Sequence, residues 1–182
     1  MITRTLFVSV VLFLAVILLF ISYSCKTIPK GVNAFTPFDA GRYLGKWYEI
    51  ARFDFRFEKN LNNTTAYYSL NANNTIRVEN SGYNYVEKKW VQAIGKAKFV
   101  KDPNLAMLKV SFFGPFYAGY NVVELDKDYK YALIIGQNTK YMWLLSREKT
   151  MPKEIIDKYL ETAKNAGCDV SKLIWVEQND QQ

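Results

Sequence analysis

Between Gly45 and Arg147 the chain is a succession of short runs rich in β-branched and aromatic residues, each closed by a turn signal, and such a pattern folds into sheet. Eight strands are expected, at about 46–54, 62–70, 75–83, 86–100, 105–113, 118–125, 130–136 and 141–147. Asn71-Ala72-Asn73-Asn74, Lys101-Asp102-Pro103-Asn104, Gly114-Pro115 and Gln137-Asn138-Thr139 punctuate them. Ile76 and Val78 alternate with Arg77 and Glu79, and Leu108, Val110 and Phe112 alternate with Lys109 and Ser111. Period two gives each strand one buried and one wet face. Gly95, inside the long fourth run, predicts a bulge or a sharp bend. Eight sequential antiparallel strands on short turns make an up-and-down barrel wide enough for one small ligand. A β-sandwich with a filled core is the alternative.

One helix is expected after the strands, from about Pro152 to Ala166, capped by Thr150 and ended by Gly167. Ile155, Ile156, Tyr159, Leu160 and Ala163 form a single apolar stripe that should pack outside the sheet. Leu173 to Val176 adds a short ninth strand. The body is one domain.

The start of the chain is different. Arg4 precedes an almost unbroken apolar run from Leu6 to Ile21, shorter than a membrane span needs, so residues 1–24 read as a signal peptide. Ser24 and Cys25 stand where a lipoprotein signal places its cleavage site and its lipid-modified cysteine, although Ser22 occupies a position where such signals prefer leucine. Residues 25–37, with Pro29, Gly31 and Pro37, read as a tether that would hold a domain of residues 38–182 off the membrane.

The formal charge is +7, and the leader holds only Arg4, so the remainder carries +6. The basic residues are scattered, which favours anionic membranes or head groups over nucleic acid. The chain has no histidine, so it lacks the commonest general base and the commonest metal ligand, and a His-dependent triad is excluded. No cofactor or metal site is expected. Cys25 precedes the barrel and Cys168 follows the helix, so neither is placed as a cavity nucleophile. Asp126 and Asp128 read as a solvated turn. Asn62-Asn63-Thr64 and Asn73-Asn74-Thr75 match glycan acceptors but read as incidental.

Gly45-Lys46-Trp47 opens the first strand and Leu144-Leu145-Ser146-Arg147 ends the eighth. Strand parity brings both to the same end, so the Arg147 guanidinium should meet the Trp47 indole. This pair resembles the signature of the lipocalin family, in which the tryptophan closes the barrel floor and the arginine stacks across it. Phe38-Asp39, Arg42 to Gly45, Ile50 to Asp54, Lys109 to Tyr117 and Asp169 to Lys172 resemble the bacterial, apolipoprotein D-like lipocalins, over about residues 31–178. The resemblance implies a lipid-anchored protein of the bacterial outer membrane that binds a fatty acid or a lysophospholipid and is not an enzyme.

Parity also sorts the loops. The open end should hold Phe55, Arg56, Phe57 and Lys59; Tyr83, Tyr85, Lys88 and Lys89; Phe113, Phe116 and Tyr117; and Lys140 with Tyr141. An aromatic, basic rim over an apolar shaft suits an amphiphile whose chain goes down and whose head stays near water. Each buried methylene contributes about 0.8 kcal/mol, enough for roughly micromolar binding after ordering costs. The expected cavity residues are Leu108, Val110, Phe112, Tyr117, Tyr120 and Trp143. The rival function is docking of a protein or membrane by the rim, without cargo. Self-association into a homodimer, through the rim or an outer strand, stays open.

Overall fold

A computed structural model describes residues 27–179; residues 1–24, read from sequence as a signal peptide, and Cys25 fall outside the described residues. A four-residue helix α1 (Ala40–Tyr43) leads into β1 (Gly45–Phe53), β2 (Leu61–Leu70), β3 (Ile76–Asn84), β4 (Lys89–Phe99), β5 (Met107–Phe113), β6 (Phe116–Leu125), β7 (Tyr131–Gly136) and β8 (Met142–Ser146). Helix α2 (Lys153–Asn165), a 3-10 turn and β9 (Leu173–Trp175) follow. Each strand from β1 to β7 pairs antiparallel with its successor, and β1 pairs with both β2 and β8, which closes the barrel. This is the expected fold, and the sandwich is excluded because the sheet has no break between β8 and β1.

The closure is uneven. β1 pairs with β2 only through Gly45–Tyr48. Above that point β9 pairs with Ala51–Phe53 from outside. Gln178 Nε2 donates to the carbonyls of both Glu49 and Thr64, at 2.8 Å each, and so stitches the gap. β4 pairs with β5 only over Lys96–Phe99, so its upper half has a partner in β3 alone.

Alternation divides the apolar residues into two clusters. Ala132 and Ile134 of β7 face the lumen with Trp47, Tyr68, Val78, Leu108 and Val122. Leu133 and Ile135 face outward, with Ile50, Met142 and Leu144, against Tyr159 and Ala163 of α2. The helix ends at Gly167, φ +88°, where the Gly167 and Cys168 amides donate to the Lys164 and Ala163 carbonyls. That left-handed residue is what glycine supplies at little steric cost. Thr150 is not the cap: Pro152 holds that position without a side-chain hydrogen bond, and the Thr150 carbonyl accepts from Ser146 Oγ.

Gly95 is not a bulge. The β3–β4 register runs through it unbroken. A Cβ there would stand 2.8 Å from Phe112 Cδ1 and from the Ser111 carbonyl, so glycine makes room for the Phe112 ring. The segment 27–37 is not a free spacer either. The Thr27 carbonyl accepts from Asn121 Nδ2 at 2.8 Å, and the Phe35 amide donates to the Val122 carbonyl at 2.7 Å. It lies along the barrel because Gly119, without a side chain, lets the Thr27 backbone approach β6.

Candidate functional site

One end of the barrel is sealed. Trp47 is fully buried, and the Arg147 Cζ lies 3.9 Å above its ring. Arg147 donates to the carbonyls of Lys46, Arg42, Tyr43, Leu44 and Tyr129, between 2.7 and 3.2 Å. A planar guanidinium reaches so many acceptors because its donors form a rigid fork. Asp39 Oδ1 accepts from the Gly41 and Arg42 amides and so fixes α1 across the opening. Phe38 and Tyr43 fill the space beneath Trp47, with ring centroids 5.3 Å apart. The Asp126 carboxylate accepts from the Asp128 and Tyr131 amides and shapes the β6–β7 turn at this end.

Above the floor, the Tyr120 hydroxyl sits 2.7 Å from that of Tyr43 and 2.9 Å from that of Tyr68. Burial raises the pKa of all three phenols above the ordinary value, so they remain neutral donors and acceptors.

The other end is open. Trp47, Ala66, Asn80 and Ala93 are cross-strand partners in turn, and so share the inner face of β1 to β4. Ala93 is nevertheless exposed to solvent. Ala118, paired with the inward Val110, is exposed as well. Small inward residues that water reaches line a lumen, not a filled core. Around it stand exposed Phe57, Phe113 and Phe116, the last 78 % accessible. Phe57 and Phe113 meet across the mouth, with centroids 5.9 Å apart.

Leu108 is buried in the inner cluster, with Val110, Phe112, Tyr120 and Trp143 packed against it and partly open. Five of the six expected cavity residues therefore share the inner face. Tyr117 does not join them. Lys98 and Lys109 hold their ammonium groups 4.8 and 5.6 Å from its ring centroid, on the outer wall. Tyr117 is three residues before inward Tyr120, an odd spacing that puts it on the other face of β6.

A group that the sequence did not reveal lies in the inner wall just below the mouth. Arg52, Glu49 and Glu58 have side chains only 2, 8 and 12 % exposed. Arg52 donates to Glu49 Oε1 at 2.7 Å and to the carbonyls of Glu58 and Leu61. Thr64 Oγ1 donates to the same Glu49 oxygen. Glu58 Oε2 accepts from Trp143 Nε1 at 3.1 Å and stands 3.7 Å from Arg52 Nε, which has no hydrogen-bond partner. Burial, reinforced by the nearby Glu49 charge, pushes the Glu58 carboxyl up to about 8 against the pull of Trp143 and Arg52. Burial raises Glu49 also. One guanidinium thus faces two carboxyls, and a proton is retained among them near neutrality. Cys168, by contrast, lies behind α2 in the outer cluster, its thiol pushed up to about 11 by burial.

Residues 38–178 match the family model described as a lipocalin-like domain. The chain is 51 % identical over 160 residues to the outer membrane lipoprotein Blc of Citrobacter freundii, covering 88 % of this chain and 90 % of that protein. It is 32 % identical over 162 residues to mouse apolipoprotein D, covering 85 and 82 %. Insecticyanin from the tobacco hornworm Manduca sexta shares the fold with a TM-score of 0.69 at 22 % identity, over 85 % of this chain and 88 % of that one.

Proposed function

The chain belongs to the lipocalin family, barrels that bind small hydrophobic molecules, and from that premise we propose that it holds a single-chain lipid, a fatty acid or a lysophospholipid, at the bacterial outer membrane. The observation that carries this reading is the exposure of inward-facing Ala93 and Ala118 above a sealed floor: an apolar shaft open at one end only. Leu108, Val110, Phe112, Tyr120 and Trp143 are its ligand contacts, and the tyrosine hydroxyls mark its depth. The lipid is carried or stored unchanged, in maintenance of the envelope or its repair under stress.

A lipid on Cys25 fastens the protein to the membrane. The relative from Citrobacter freundii bears the name lipoprotein, which supports the same reading of this leader. Cys25 precedes Thr27 by two residues, a reach of about 7 Å, and Thr27 lies beside Gly119 and Gln137 on the mouth half of the wall. The short link and the exposed phenylalanines together favour a mouth turned to the bilayer, where cargo enters. This absorbs the docking function as a step of carriage.

The test is a titration of the chain from Lys26 onward with a lysophospholipid and a fatty acid of matched length, followed by tryptophan fluorescence. Saturation at micromolar ligand, lost in Trp143→Ala with the fold intact, is expected. No response to either ligand from folded protein contradicts the carrier reading.

A further inference from the structure

The cluster below the mouth has an unusual distribution of donors. Arg52 is buried, and its two terminal nitrogens donate to Glu49 and to the Glu58 and Leu61 carbonyls. Its Nε–H is not engaged. Trp143 Nε1–H lies close by: it donates to Glu58 Oε2, and the same oxygen stands 3.7 Å from Arg52 Nε. One engaged and one unengaged N–H beside the same carboxyl can together take a carboxylate better placed than Glu58, and a desolvated donor left without a partner costs about 1–3 kcal/mol.

Glu58 is a poor permanent occupant. It belongs to the loop between β1 and β2 and reaches inward from the rim. It hydrogen-bonds Trp143 but leaves Arg52 Nε beyond hydrogen-bond distance. A second carboxyl, Glu49, already neutralises Arg52 from the other side. The Arg52–Glu58 contact through the Glu58 backbone carbonyl would survive if the side chain swung out to solvent.

We propose that Arg52 Nε and Trp143 Nε1 form the receptor for the carboxylate of a fatty acid, and that Glu58 fills it as an internal stand-in until the lipid displaces it. This rests on the carrier reading and deepens it by naming the head group. The place suits the chain geometry. Arg52 is one residue from the upper end of β1, and Trp143 is one residue into β8 from its mouth end. A carboxylate held there leaves its chain to run down past Phe112 and Val110 toward Leu108 and Tyr120. The two N–H groups match a single carboxylate of the kind Glu58 places there.

The experiment measures affinities of hexadecanoic acid, hexadecan-1-ol and hexadecyl phosphate for the chain from Lys26 onward, which contains every described element. The wild type is compared with Glu58→Ala, Glu58→Gln and Trp143→Phe. Emptying the receptor in Glu58→Ala should raise acid affinity at least fivefold and leave the alcohol within twofold, with a smaller gain for the phosphate. Glu58→Gln keeps the receptor filled by an amide and should gain less than twofold. Trp143→Phe keeps an aromatic ring but loses the donor, and should lower the acid-to-alcohol ratio about fivefold. Binding of acid and alcohol with a ratio unchanged in all three variants overturns the head-group site and leaves the carrier reading standing. An equal gain for acid and phosphate in Glu58→Ala overturns the carboxylate assignment. Binding of none of the three compounds overturns this inference, and the carrier reading falls with it when the lysophospholipid titration is blank as well.

Discussion

The two ends of the barrel solve opposite problems with the same residue types. At the floor an arginine finds five carbonyls and a tryptophan face, and its aromatic neighbours are buried. At the mouth an arginine is shared between two carboxyls, one of its donors is left over, and phenylalanines stand in solvent. Polar groups that are fully satisfied hold a structure in one state; polar groups that are partly satisfied wait for a partner. The difference assigns stability to the Trp47 end and binding to the Trp143 end.

Changes at the floor should then cost stability, and changes at the mouth should mostly alter ligand or pH response. Trp47→Ala removes the largest buried side chain and should destabilise the fold by about 3–5 kcal/mol in denaturant unfolding. Arg147→Lys replaces the fork by a single ammonium that cannot reach all five carbonyls, with an expected loss of roughly 2–3 kcal/mol. A loss below about 0.5 kcal/mol would mean that the floor is held by Phe38 and Tyr43 alone. Gly95→Ala places a Cβ against Phe112 and the Ser111 carbonyl, and should cost about 1–3 kcal/mol while moving Phe112, seen as altered lipid affinity.

The mildest test concerns Glu58. Its folded carboxyl is raised to about 8 from an ordinary 4.5, so between these values the folded chain holds more protons than the unfolded one. Stability should fall as pH rises through that window, by at most about 1.4 kcal/mol per pH unit. Glu58→Gln should flatten the curve. An unchanged slope would place the retained proton on Glu49.

The sheet, the helix stripe and the floor contact were legible because each is a matter of period and parity. Trp47 and Arg147 meet as an odd-numbered strand start and an even-numbered strand end must in such a barrel. The mouth cluster was not legible because β1 carries a register shift between Glu49 and Ala51. Unbroken alternation from Trp47 would turn Ala51 inward and Arg52 to solvent; the shift reverses both and pairs Arg52 with inward Trp143. Tyr117 lies near the mouth, but its odd spacing to Tyr120 puts it on the other face of β6, beside Lys98 and Lys109. Gly95 signals a departure from ordinary strand, but close approach and bulge leave the same mark in sequence.

Whether the mouth end encloses an accessible lumen is tested most directly at Ala118, which is small, inward and far from the ionic cluster in sequence. In Ala118→Cys, made in the chain from Lys26 onward, the new thiol should react readily with a maleimide. Cys168 should lag because it is buried and its thiol is held up near 11. Saturating hexadecanoic acid should slow labelling of the new cysteine at least tenfold. A cysteine that labels equally fast with and without lipid, in protein shown to bind it, would contradict a ligand seated in this barrel.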